Sequence, residues 1–222
     1  MSFVKEVSFS LESNRDEANA IPMKAYMKNK FVFFGIKSAL RKSILREIIN
    51  SNKVELKNDI SEITQTLYNK PEREFHYCAM DVYSRFKKRN YNKTDIGLIE
   101  FLITKNSHWD TVDFIAKHIL GQFLLEIPEM RDETIKSFSN SDKMWLNRSA
   151  ILFQLGYREQ TDFHLLSQLC IKHKSSNQFF IKKAIGWALR EYAKYNSKPV
   201  LDFVKRTDLK PLSEREALKH FI

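Results

Sequence analysis

Glycine and proline are scarce in this sequence, five of each in 222 residues. Few breakers leave few tight turns, so a strand-rich fold is disfavoured and an all-α fold is expected. Cysteine is scarcer still. Cys78 and Cys170 stand far apart, each in an apolar helical context, which excludes a disulfide framework. The six histidines show no H-x-x-x-H and the cysteines no C-x-x-C, so neither a metal nor another cofactor is expected. A glycine-rich phosphate loop and a G-x-S-x-G elbow are both missing. No apolar run approaches the roughly 18 to 20 residues of a membrane span. The first residues, Met1 to Leu11, carry Lys5 and Glu6 and lack an apolar signal core. These absences predict a cytoplasmic protein without a membrane partner.

Hydrophobic residues make up 43% of the chain, enough for a sizeable core. Net charge is +10 and the pI is near 9.5. An excess of this size serves solubility, and it also attracts phosphates at long range. The cations are spread over successive segments: Lys24, Lys28 and Lys30; Lys37, Arg41, Lys42 and Arg46; Arg85, Lys87, Lys88 and Arg89; Lys172, Lys174, Lys182 and Lys183. That distribution suits a long groove better than a tail.

Hydrophobic spacing predicts helices over 2–13, 18–27, 38–50, 59–68 and 72–88. Val4, Val7, Phe9 and Leu11 mark the first. Asn14 or Asp16 caps the second, and Pro71 opens the fifth. The aromatic stretch Phe31 to Ile36 reads as a buried connector. The C-terminal end holds helices at Pro199–Val204 and Ser213–Leu218, the latter with Ser213 as its N-cap.

A repeat emerges when aromatics at one helical position are aligned. Phe75, Trp109, Trp145 and Phe180 are 34, 36 and 35 residues apart. Four residues after each stand Ala79, Asp113, Ser149 and Ala184. Each block holds a further helical segment, at 94–104, 128–137 and 162–173. A two-helix unit recurring about every 35 residues predicts an α-solenoid, all-α, with a concave basic groove and one domain over 1–222.

Asp113 breaks this repeat, standing where the other units carry Ala or Ser. An aspartate inside a close-packed helix usually caps a neighbouring helix or pairs with Lys or Arg. A single tryptophan usually fills a core. Yet Trp109, Asp113, Arg148 and Trp187 fall at offsets 0, 4, 3 and 7 of their units, positions that share one helix face. A carboxylate one turn from an indole suits the stabilisation of a positive charge.

At these residues the chain resembles the AlkD-type DNA alkylation repair family, alkylpurine DNA glycosylases built from HEAT-like repeats. The likeness runs through Pro22 to Asn29, Phe34 to Ile36, Pro71 to Phe75, Trp109 to Asp113, Trp145 to Ile151, Phe180 to Tyr192 and Leu212 to Ala217, nearly the whole chain. It implies excision of cationic alkylated purines, such as 3-methyladenine and 7-methylguanine, from double-stranded DNA, with the base left in the stack. It implies Asp113 as the catalytic carboxylate, with Trp109 and Trp187 against the sugar of the damaged nucleotide. Arg148, Lys183 and Arg190 are the implied DNA ligands, and Tyr26 the aromatic near the lesion's backbone. His108 stands where the family carries an aromatic, and a packing role is expected for it. A monomer is the simplest state. Two other readings compete: a non-catalytic helical-repeat protein that binds branched or damaged DNA, and a protein–protein scaffold.

Overall fold

The computed structural model describes residues 2–221. The chain divides between Asn90 and Tyr91 into two compact units. Helices dominate both. Among the described residues the one β feature is an isolated parallel bridge between Val32 and Glu72. The all-α helical-repeat class predicted from sequence holds.

The first unit holds α1 (Phe3–Ser13), α2 (Glu17–Tyr26), α3 (Ser38–Ser51), α4 (Lys53–Tyr68) and α5 (Arg73–Lys87). Phe3, Val7 and Leu11 form the buried stripe of α1, at the i, i+4, i+8 spacing of one helix face. Phe9, read as part of that stripe, lies off it and is 67% exposed. Asp16 caps α2 by accepting from the Asn19 amide at 3.0 Å. Helix α4 starts earlier than expected, at Lys53, and breaks at Asp59, whose φ is −119° and ψ 22°. The sequence pattern had registered only the half beyond this break.

The connector before α3 is buried from Phe33 to Ile36, whereas Val32 is exposed, and Glu74 explains how the buried part is held. Its carboxylate is fully buried and accepts from the amides of Phe34 (3.1 Å), Gly35 (2.9 Å) and Ile36 (3.1 Å). Backbone donors that a strand partner would otherwise satisfy thus find an acceptor. Gly35 makes the turn at φ +91°, and a Cβ there would fall 1.9 Å from the Asp16 carbonyl oxygen. Glu72, not Pro71, is the N-cap of α5. The first helical amide, on Arg73, donates to the Val32 carbonyl at 2.9 Å, a bond proline could not make.

The second unit begins with α6 (Asp95–Thr104). A continuous rod follows: α7 (Trp109–Phe114), a π-helical turn (Ile115–Leu120) and α8 (Gly121–Glu126). Next come α9 (Arg131–Asn140), α10 (Met144–Leu152), α11 (Phe163–His173), α12 (Phe179–Ala193), α13 (Ser197–Arg206) and α14 (Pro211–Leu218). Trp109, Trp145 and Phe180 lie at the starts of α7, α10 and α12, as the repeat demands. Helices α12 and α14 pack closely along one another. Ser213 is not the cap of α14. The helix starts at Pro211, with Lys210 as its N-cap, and the Ser213 hydroxyl is buried without a hydrogen-bond partner. Proline at the first helical position was the better start signal. Among the described residues, no helix is long and apolar enough to cross a membrane.

Candidate functional site

Trp109 is the first residue of α7, and His108 before it is extended, at φ −157° and ψ 166°. This break lets the helix start at Trp109, so Asp113 follows one turn later. The buried His108 ring sits edge-on to Trp145 (5.9 Å) and Phe180 (5.6 Å), and Trp145 lies 5.0 Å from Phe180. His108 therefore belongs to an aromatic cluster spanning the starts of α7, α10 and α12, the packing role expected of it.

Asp113 leans from α7 toward α10, where Arg148 holds both its oxygens. Arg148 Nε donates to Oδ1 at 2.7 Å and Nη2 to Oδ2 at 2.9 Å. Arg148 Nη1 donates to the Phe180 carbonyl of α12. One guanidinium thus ties three helices together. The Arg148 side chain is 5% exposed and Asp113 16%. Burial pushes the Asp113 carboxyl above its ordinary value, and the bonds from Arg148 pull it back. Arg148 was expected at the DNA backbone; in this structure its fork is engaged by Asp113 and a backbone carbonyl.

A second ion cluster lies across α12 and α14. Glu216 Oε1 accepts from Lys183 Nζ at 2.8 Å, and Oε2 from Arg190 Nη1 at 2.9 Å. These two cations pull the Glu216 carboxyl down to about 2. The sequence singled out Lys183 and Arg190 and missed Glu216. Lys183 and Arg190 are seven residues apart on one helix, within the Phe180 to Tyr192 stretch that carries the family resemblance. The acid that joins them is 26 residues beyond Arg190, and only packing brings it there.

Both clusters open onto one cleft of about 360 Å³, with Trp109 and Trp187 also in its wall. Neither indole is fully buried; both are half-buried. Phe179 and Phe180 complete the apolar lining. Six of the seven residues proposed from sequence therefore line one cavity within the second unit. The seventh, Tyr26, ends α2 in the first unit and is 71% exposed. A larger hollow of about 410 Å³ has Arg131, Lys136, His164 and Lys172 in its wall, and no indole.

A mostly buried carboxylate that still reaches the cleft, beside indole faces and cations, suits a reaction that builds positive charge next to phosphates. Residues 7–221 match the model of the family described as DNA alkylation repair enzyme, and the chain belongs to that family. It is similar in structure to a predicted DNA alkylation repair enzyme from Enterococcus faecalis. The two share 28% identity over 93% of this chain and 96% of that one, with a TM-score of 0.85. Among curated proteins none matches.

Proposed function

We propose that the protein is a monofunctional DNA glycosylase that hydrolyses the N-glycosidic bond of cationic alkylated purines, 3-methyladenine and 7-methylguanine, in duplex DNA. The observation that carries this reading is Asp113, a partly exposed carboxylate sharing a cleft with two half-buried indoles.

Breaking this bond gives the sugar oxocarbenium character in the transition state. An alkylated purine already carries positive charge and leaves as a neutral base, so no general acid is required. Negative charge near C1′ is what lowers the barrier. Asp113 supplies it, to the cation and to the attacking water. The faces of Trp109 and Trp187 add cation–π attraction of about 0.5 to 2 kcal/mol each, growing as the sugar gains charge. Arg148 is a positioning residue: its bidentate grip keeps Asp113 ionised and aimed. Lys183 and Arg190 receive backbone phosphate, which gives salt-sensitive affinity with little sequence preference. Tyr26 contacts DNA from the first unit.

Contacts to sugar and phosphate suffice for this chemistry, so the base is left in the stack rather than flipped. One observation favours the runner-up, a non-catalytic DNA-binding repeat protein: Arg148 already satisfies Asp113, as in a purely structural ion pair. Incubation with duplex containing 7-methylguanine separates the two. Released free base supports the glycosylase; intact lesion with bound DNA supports the alternative.

A further inference from the structure

Lys183 and Arg190 stand two turns apart on the face of α12 that also carries Trp187. Between them Gly186 has no side chain, and α14 crosses there at contact distance. A Cβ on Gly186 would stand 2.4 Å from Glu216 Cβ and 2.7 Å from the Ser213 carbonyl oxygen. This close approach sets the Glu216 carboxylate between the two cations, one oxygen to each, at 2.8 and 2.9 Å. A phosphodiester offers the same thing: two negative oxygens on one centre, receivable by two separate donors. The trio lines the cleft that holds Asp113. It also lies within reach of solvent, since the Lys183 side chain is 37% exposed and Glu216 14%.

We propose that Lys183 and Arg190 form a receptor for one backbone phosphate, and that Glu216 fills this receptor in the free protein as an internal stand-in for it. The inference rests on the DNA-binding reading above and adds a residue and a step to it. Binding becomes an exchange in which the carboxylate swings out and a phosphate takes its place. Helix α14 keeps its seat during the exchange, because Arg190 Nη1 also donates to the Glu216 backbone carbonyl at 2.8 Å. Glu216 then acts as a brake on binding to any duplex. A backbone must outcompete it to enter the cleft, which limits retention on undamaged DNA.

The test is equilibrium binding of a short fluorescein-labelled undamaged duplex, followed as salt is raised. The proteins are wild type, Glu216→Gln, Glu214→Gln, Lys183→Met and the Glu216→Gln/Lys183→Met double variant. Glu214 is exposed on the same helix, so it reports the general effect of one lost negative charge. Glu216→Gln is expected to bind about five- to tenfold tighter at low salt, with a log–log salt slope steeper by about one. Glu214→Gln should change affinity by less than about twofold. Lys183→Met, which leaves the carboxylate untouched, should bind about fivefold more weakly, and the gain from Glu216→Gln should be much smaller in its background, where only Arg190 remains to be uncovered. A Glu216→Gln protein that binds no tighter than Glu214→Gln overturns the proposal, and so does a gain that is undiminished by loss of Lys183. Undamaged duplex keeps this result separate from catalysis. Normal binding with no base released from 7-methylguanine DNA defeats the glycosylase reading alone, while no binding at all defeats both.

Discussion

Arg148 grips Asp113 through both carboxylate oxygens, at 2.7 and 2.9 Å, while its third nitrogen holds the Phe180 carbonyl. The most buried cation of the cleft is thus committed to a carboxylate and a main-chain carbonyl, while Lys183 and Arg190 on α12 share Glu216. Under the proposed function this division separates two roles that residue type alone does not: one arginine aims a carboxylate, another receives phosphate.

Replacing Arg148 tests the first role. Arg148→Met keeps much of the side-chain volume and strips Asp113 of its partner in a mostly buried position. Breaking a buried pair from one side costs about 3 kcal/mol or more. The expected outcome is a lower urea midpoint, read by helical circular dichroism. It should come with slower base release, because Asp113 loses its aim and tends toward the protonated form.

The pH dependence follows from the direction of the Asp113 shift. Burial raises its folded-state pKa, so the active carboxylate is lost at higher pH than an exposed aspartate would predict. Single-turnover excision should fall on the acid side along a one-proton limb placed above the ordinary carboxylate range near 3.9. For stability the sign is opposite: a raised folded pKa makes this group's contribution less unfavourable as pH falls. Rates on intact folded protein from about pH 4 up to neutral check the limb.

Glu216 titrates the other way. Its folded pKa is drawn from 4.5 to about 2, so its stabilisation is present above about pH 4.5 and lost as pH falls toward 2. Its partner Lys183 is more than one-third exposed, which keeps the contribution near ~1 kcal/mol. Glu216→Gln should therefore unfold more easily than wild type at neutral pH, and the two midpoints should converge in acid. Thermal melts across that range provide the comparison.

Gly186→Ala inserts a methyl where Glu216 Cβ and the Ser213 carbonyl already lie within 2.7 Å. Backbone cannot yield as a side-chain tip can, so α14 must move off α12. Such overpacking costs about 1 to 3 kcal/mol, visible as a lower denaturant midpoint. The same shift should loosen the Glu216 bridge.

Much of this site was legible before any coordinates. The spacing of Phe75, Trp109, Trp145 and Phe180 exposed the repeat, and Asp113 stood out because it breaks a run of small residues. Shared helical offsets then brought Trp109, Arg148 and Trp187 to the same wall. Local signals served less well. Ser213 looked like a cap, but Pro211 starts the helix; Phe9 marked the apolar side of α1, but it lies off the buried stripe. Illegible altogether were contacts that depend on how helices distant in sequence pack. The Arg148 fork on Asp113 was one among several pairings open to a buried acid. The Glu216 bridge depends on a glycine that lets one helix settle against another, and no periodicity encodes that.

The most direct measurement is single-turnover release of 7-methylguanine from duplex DNA by wild type and by Asp113→Asn, with folding and DNA binding checked for both. The account predicts free base from wild type and at least about a hundredfold slower release from the variant, the loss of a charge-stabilising group at the reacting centre. Undiminished release by Asp113→Asn, or none from a wild type that binds the duplex, would contradict it.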